Sequence, residues 1–363
     1  MKIHKLINSF WVVLLLLIAQ TSMAQRPMEK LDRGLYAQKL SNGVYVNWRI
    51  NSDEWYNTYY KVYRNGSLIY TTQATEASNY LDASGTINSK YTVSCVKNGV
   101  ESAQSAQASV NTKNYLEIPV RDLKSLGKTD YYLNDATAAD LDGDGQYEII
   151  IKRMNRDWSV DNTNYTYFEA YKLDGTCLWA IDVGPNITMD VEINIAAYDF
   201  DGDGKAEVFM RSSDNTIFGL DINNQNGTSV GDRDKDGVTN YRYSIGGDGF
   251  MNAGPEYLSL IDGQTGKELD WANFIPRGQT SDWGDSYGHR CNKFFFGAPY
   301  LDGKHPSLFT GRGIYTRTKM QTYDVVNKKL VKRWYWECLS PDAKQQGKYD
   351  TTTKSYFGQG YHN

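Results

Sequence analysis

Asp140-Leu141-Asp142-Gly143-Asp144-Gly145-Gln146-Tyr147-Glu148-Ile149-Ile150-Ile151 reads as an acidic, glycine-rich turn that feeds directly into an apolar, β-branched strand. Three carboxylates fall on alternate residues, glycine permits the sharp bend, and Glu148 follows as a closing acid. That spacing is of the EF-hand type, in which alternate side chains converge on one cation. It recurs at Asp199-Phe200-Asp201-Gly202-Asp203-Gly204-Lys205-Ala206-Glu207-Val208-Phe209-Met210. A third loop, Asp232-Arg233-Asp234-Lys235-Asp236-Gly237, has Asn240 where the others have glutamate. The expected ligands are therefore Asp140, Asp142, Asp144 and Glu148; Asp199, Asp201, Asp203 and Glu207; and Asp232, Asp234, Asp236 and Asn240. An all-oxygen donor set selects Ca²⁺ over zinc or copper. Several calcium ions are expected, as staples that neutralise clustered acids and pin each turn rather than as catalytic centres.

A degenerate copy, Leu301-Asp302-Gly303-Lys304-His305-Pro306-Ser307-Leu308-Phe309, has His305 and Pro306 among the positions of acids and is expected to bind no ion. Hairpins of one style follow the loops, at Tyr171 to Gly175, Leu258 to Gly263 and Thr322 to Val326. Loop, strand, hairpin and return strand make a four-stranded unit, and such repeats read as blades of a β-propeller over residues 113–363. About three units are legible where closed propellers need roughly four to eight, so the propeller is expected to be incomplete and the chain truncated. Residues 25–112 carry short period-two runs such as Val44 to Trp48, Tyr60 to Tyr63 and Tyr91 to Val96, with Asn65-Gly66 and Asn98-Gly99 as turns. They look like a fibronectin type III-like sandwich with a structural role. The expected fold class is all-β throughout.

The chain has 363 residues, 39 basic and 43 acidic, for a net charge of −4, which argues against a nucleic-acid partner. Residues 1–24 read as a signal peptide: Lys2 and Lys5, an apolar run from Trp11 to Ala19, and small residues at Ser22 and Ala24. The run is short for a bilayer core of about 30 Å, so no membrane association is expected after cleavage. A secreted or periplasmic protein follows. Cys95, Cys177, Cys291 and Cys338 lack C-x-x-C spacing; buried thiols and a single bridge remain open, and thiol catalysis is not expected.

Several motifs are specific in combination: Asp32-Arg33-Gly34-Leu35, Val46-Asn47-Trp48-Arg49, Tyr63-Arg64-Asn65-Gly66 and Asn134-Asp135-Ala136. Others are Gly254-Pro255-Glu256-Tyr257-Leu258, Asp282-Trp283-Gly284-Asp285-Ser286-Tyr287-Gly288, Tyr300-Leu301-Asp302-Gly303, Arg312-Gly313 and Gly358-Gln359-Gly360. Together they resemble the rhamnogalacturonan lyases of polysaccharide lyase family 11, over essentially the whole chain after residue 24. The resemblance implies an eight-bladed, calcium-dependent propeller and an acidic plant cell-wall polysaccharide, rhamnogalacturonan I, as partner. It also implies an enzyme that continues beyond this chain, and hence impaired turnover here. The implied chemistry is β-elimination, in which a base removes the galacturonate C5 proton and the C4 oxygen leaves.

By the same resemblance, Asn134 matches a position at the sugar cleft, and His362 matches the histidine of a Gly-Gln-Gly-Asn-His-Asn motif in which Tyr361 replaces the asparagine. Lys152-Arg153-Met154-Asn155 stands where some members carry Lys-Trp-Asp. From the residues themselves, Arg290 and Arg312 are candidates to pair with uronate carboxylates, each from a glycine-loosened stretch. A surface ion pair between Arg290 and Asp285 is the competing expectation, and packing between blades is the competing expectation for Trp283 and Tyr287. No catalytic residue is assigned. A monomer is expected, and the alternative to a lyase is a non-catalytic, calcium-dependent polysaccharide-binding propeller.

Overall fold

The structure, a computed structural model, describes residues 29–337 except 55, 156, 158, 188–193, 247–248 and 316, together with a strand pair at 349–350 and 355–356. The expected signal segment, Cys338 and His362 lie outside the described residues. Among those residues the regular structure is β apart from short 3-10 turns. No helix among them is long and apolar enough to cross a membrane.

The first body comprises β1 (Tyr36–Leu40), β2 (Gly43–Asn47), β3 (Thr58–Arg64), β4 (Ser67–Thr71), β5 (Asn79–Asp82), β6 (Lys90–Lys97), β7 (Val100–Glu101) and β8 (Ala108–Asn111). The strand order is β4-β3-β6-β8-β1-β2-β5, with β7 on β6. Strand β8 pairs parallel with β1 and antiparallel with β6, which lets the network fold over one core. Period-two patterning drives this: β3 buries Thr58, Tyr60 and Val62 and turns Tyr59, Lys61 and Tyr63 outward. The β3–β4 turn is Asn65-Gly66, both at positive φ (50° and 84°), as a tight two-residue hairpin requires. Ala37, Val44, Val46, Trp48, Val62, Tyr91 and Val93 fill the interior.

Three stacked antiparallel units follow. The first holds β9 (Tyr131–Ala139), β10 (Glu148–Asn155), β11 (Tyr167–Tyr171) and β12 (Cys177–Asp182) in sequential order. The second holds β13 (Ile195–Tyr198), β14 (Glu207–Ser212), β17 (Tyr257–Ile261) and β18 (Glu268–Asn273). The third holds β19 (Phe294–Gly297), β20 (Leu308–Arg312), β21 (Lys319–Val326) and β22 (Lys329–Glu337). One feature departs from the repeat expected from sequence. The chain between β14 and β17 sends β15 (Ile217–Leu220) and β16 (Thr228–Ser229) back to the outer edge of the first sheet, where β15 pairs with β12. The first sheet therefore has six strands, and the detour ties it to the second. The last pair is β23 (Tyr349–Asp350) with β24 (Ser355–Tyr356).

The middle sheet is buried on both faces, and its alternation serves two cores. Val208 and Met210 of β14 join Ile150, Phe168, Ala170 and Ile181 of the first sheet. Phe209, between them in sequence, joins Leu258, Leu260, Leu308 and Tyr323 on the other side. Such near-continuous apolar runs are what a strand covered on both faces demands. Of the leading strands, β13 lies between β9 and β19 and approaches both. Antiparallel order then puts the β9–β10, β13–β14 and β19–β20 connections on one side of the molecule. The connecting residues 159–166, 213–216, 230–246, 249–256, 274–293 and 313–315 lie on the opposite side, and these include the third acidic loop at 232–237.

The first body docks on the β9–β10 loop. Asp32 N donates to Gly145 O at 2.8 Å, Tyr147 Oη donates to Glu29 at 2.9 Å, and the Arg49 guanidinium lies 5.3 Å from the Tyr147 ring centroid. Gly145 has φ of 88°, and a Cβ there would sit 2.9 Å from Asp32 N, so only glycine fits.

Candidate functional site

The two matching acidic loops fold the same way. In the first, Asp140 accepts from Gly143 N at 2.7 Å and Gly145 N at 2.8 Å, and Glu148 accepts from Leu141 N at 2.8 Å. In the second, Asp199 accepts from Gly202 N at 2.7 Å and Gly204 N at 3.0 Å, and Glu207 accepts from Phe200 N at 3.0 Å. The glycines at positive φ, 81° and 88° in one loop and 80° and 92° in the other, turn these amides inward. The side chains that remain converge: ligand oxygens of Asp140, Asp142 and Glu148 lie within 4.8 Å of one another, as do those of Asp199, Asp201 and Asp203. Asp144 stands outside the first grouping, with Lys172 Nζ 3.3 Å from it and 2.5 Å from Asp142. Glu207 stands outside the second.

Electrostatics in these loops is unfavourable without a cation. Burial pushes the Glu148 carboxyl up to about 7, and the charges of Asp142 and Asp144 add to the rise. Burial pushes Glu207 up to about 8, with Asp201 contributing. Asp140 and Asp199 are raised for the same first reason. Acids gathered around a common point, buried at Asp140 and Glu148 and half-buried at Asp142, Asp199 and Asp201, with only oxygen donors, fit a hard divalent ion.

The third loop differs from the sequence expectation in its membership. Asp214, in the turn after β14, has a ligand oxygen within 4.8 Å of those of Asp232 and Asp234. It is 0 % exposed, its Oδ1 accepts from Tyr257 Oη at 2.9 Å, and its Oδ2 has no hydrogen-bond partner. Asp232 Oδ1 is likewise buried and unpartnered. Asp236 instead accepts from Tyr241 Oη at 2.5 Å and Val238 N at 2.8 Å, and Asn240 accepts from Arg242 N at 3.0 Å. Two buried, orphaned carboxylate oxygens in one cluster, which Asp234 opens to the surface, again fit a cation. No spacing rule links Asp214 to a loop that begins well downstream of it.

On the opposite side, Asn134 lies near the start of β9, and its Oδ1 is buried without a hydrogen-bond partner. Arg290 is half-buried, with Nη1 donating to Trp283 O at 3.2 Å and the guanidinium 5.7 Å from the Tyr315 ring centroid. Asp285 does meet Arg290, but through the Arg290 backbone N–H at 2.7 Å. Arg312 is turned into the fold rather than toward a ligand: it is 0 % exposed and donates to Glu256, to Cys291 O at 2.6 Å and to Ile275 O at 2.5 Å. The sugar contact expected of Arg312 is thereby replaced by an internal ion pair. Trp283 is buried, its indole N–H donating to Arg277 O at 2.7 Å, whereas Tyr287 is exposed.

Sequence reasoning also missed two buried arginine–glutamate clusters. Glu169 receives Arg121 at 2.7 Å and Arg153 at 3.0 Å. Glu256 receives Arg211, Arg312 at 2.7 Å and Arg277 at 3.2 Å. Burial opposes the Glu256 charge, but the three guanidinium groups hold its carboxyl well below the usual range. These pairs join residues far apart in sequence, and no local signal announces them. The described cysteines Cys95, Cys177 and Cys291 are free thiols, and burial pushes Cys95 and Cys291 up to about 11, unsuited to nucleophilic work.

Fold and loops define a class: all-β proteins whose stacked sheets carry acidic loops of cation-binding type between adjacent strands. A family model described as "Rhamnogalacturonan lyase family 11, C-terminal domain" matches residues 115–363, and one described as "Rhamnogalacturonan I lyases beta-sheet domain" matches residues 26–111. The chain is 40% identical over 97% of its length to the rhamnogalacturonan endolyase YesW of Bacillus subtilis, covering 56% of that protein. It is 39% identical over 93% of its length to the exolyase YesX of the same organism, covering 53% of it. Among solved structures, a Bacillus licheniformis rhamnogalacturonan lyase is 38% identical with a TM-score of 0.72, over 89% of this chain and 55% of that one. The chain belongs to rhamnogalacturonan lyase family 11. It spans about half the length of the curated relatives it matches.

Proposed function

We propose that this chain is a rhamnogalacturonan lyase polypeptide that acts on the rhamnogalacturonan I backbone of pectin by calcium-assisted β-elimination at galacturonate. The observation that carries this reading is the 40% identity to an endolyase sustained across 97% of the chain. We divide the polypeptide into a signal segment at 1–24, a fibronectin type III-like sandwich at 25–112 and a propeller portion at 113–363. The gap between the two family matches, at residues 112–114, supports that division. The protein is exported and works as a monomer.

Calcium ions are held by Asp140, Asp142, Asp144 and Glu148, by Asp199, Asp201, Asp203 and Glu207, and by Asp232 and Asp234 joined by Asp214. When bound, calcium neutralises the clustered carboxylates and stiffens the turn that launches each second strand. In the reaction a base takes the galacturonate C5 proton, the C4–O bond breaks with its electron pair leaving on oxygen, and a C4–C5 double bond forms. Asn134, with its unpartnered Oδ1, and Arg290 line the sugar-binding side, and His362 is a further sugar-contact candidate on its sequence motif alone.

The test is incubation with rhamnogalacturonan I and calcium, following ultraviolet absorbance of the conjugated uronate. A rise that chelation abolishes is expected. New reducing ends without unsaturated product would mean hydrolysis, and binding without either would mean a non-catalytic module.

A further inference from the structure

Tyr287 is a large aromatic residue 42 % exposed on the side of the molecule that also carries Asn134. Exposed loop tyrosines are ordinary when the loop is slack. This one is not. The Asp285 carboxylate accepts the backbone N–H groups of Tyr287 at 3.2 Å, Gly288 at 2.7 Å and Arg290 at 2.7 Å. From the neighbouring segment, Asn252 Nδ2 donates to Tyr287 O at 3.0 Å, and from below Asn292 Nδ2 donates to Gly288 O at 2.8 Å. Gly288 has φ of 94°, and a Cβ there would meet Asn252 Oδ1 at 1.9 Å, so this contact demands glycine. The backbone is thus held from three directions while the ring is left partly in water.

The surroundings of the ring indicate what it receives. The His289 ring lies parallel to it within 3°, centroids 5.9 Å apart, and the buried Phe250 ring supports both at 6.3 and 5.5 Å. Cations adjoin the same cluster. Lys293 Nζ is 5.4 Å from the Phe250 centroid, and the Arg290 guanidinium lies by Tyr315, which approaches His289 at 6.3 Å. A pre-organised aromatic surface offers contact area at little entropic cost. The apolar C–H face of a pyranose fits such a surface, and adjoining cations favour a sugar that carries a carboxylate.

We propose that Tyr287, with His289 beside it, is a stacking subsite for a pyranose ring of an acidic polysaccharide, and that Arg290 and Lys293 receive the uronate carboxylate of the same chain. The inference rests on the lyase reading above and adds where, on the side opposite the 140–148 and 199–207 loops, the polymer is gripped. Tyr287 is a binding residue with no part in proton transfer.

The test measures affinity of the full chain for rhamnogalacturonan I in calcium, with neutral galactan as the comparison polymer. Tyr287→Phe should bind within about twofold of the parent, because the ring and not the hydroxyl makes the contact. Tyr287→Ala should bind about fivefold to tenfold more weakly at an unchanged melting temperature. On the unmutated protein, bound rhamnogalacturonan I should slow iodination of Tyr287 several-fold, and galactan should not, so the outcome does not depend on a variant that folds. Equal affinity of Tyr287→Ala, or iodination unaffected by the polymer, overturns the subsite while leaving the lyase reading intact. Failure of the unmutated chain to bind rhamnogalacturonan I at all overturns both.

Discussion

The loops at 140–148 and 199–207 and the loop at 300–308 occupy equivalent connections, yet they balance charge in opposite ways. Aligned on their strands, Tyr300 stands where Asp140 and Asp199 do, Lys304 where Asp144 and Asp203 do, and Leu308 where Glu148 and Glu207 do. Only Asp302 keeps its acid. It accepts from Lys304 N and His305 N at 2.7 Å each, meets His305 Nδ1 at 3.0 Å, and has Arg333 at 3.9 Å. The His305 amide and ring, then the Lys304 amide, hold the Asp302 carboxyl well below the usual range. Glu148 and Glu207 are pushed the other way. On the calcium reading the first two turns draw an ion from solution, Lys172 neutralising only part of the first, whereas the third is balanced by the chain alone. Residues at three positions decide between these.

The largest effect of a substitution should come from forcing the third loop toward the first two. Leu308 is wholly buried in the core shared with Phe209 and Leu260. Leu308→Glu places a charge there without the other acids that would recruit an ion, and should cost about 3–5 kcal/mol in denaturant unfolding, with no rescue by calcium. Recovery of stability in calcium would erase the distinction between the loops.

An effect of similar size concerns pH. Glu148 and Glu207 have folded-state proton affinities raised from 4.5 to about 7 and about 8. In chelator the folded state therefore binds more protons than the unfolded chain between these values. Stability should fall by on the order of 5 kcal/mol as pH rises from 5 to 9, and level off above. In calcium the slope should vanish or reverse, because the ion binds the deprotonated acids. Melting temperatures across that range, with and without EGTA, check the sign. The smallest effect should be His305→Ala, which removes one exposed partner of Asp302 and should move the melting temperature by less than about 3 °C in either condition.

The same contrast marks how far sequence reading reaches. Period-two runs, Asn-Gly turns and acidic glycine loops are local, and the sheets built from β1 to β22 follow them closely. The return of β15 and β16 to the first sheet was not legible, because two short segments choose their partner by tertiary docking. Nor was Asp214, whose role depends on a turn meeting a loop that is remote in sequence. Trp283 and Tyr287 read alike as aromatic residues in a glycine-rich stretch, and only burial separates a packing residue from a displayed one. Arg312 looked available because glycines flank it, but those glycines let the backbone pass close to Trp283 instead: a Cβ on Gly313 would sit 2.1 Å from its ring.

Hydrogen exchange read by mass spectrometry, with and without EGTA, tests the central claim most directly. Amides at 140–148 and 199–207 should lose at least tenfold in protection when calcium is removed, while those at 300–308 keep theirs. Equal loss in all three loops, or no loss in any, would contradict the assignment of imported cations to the first two and resident ones to the third.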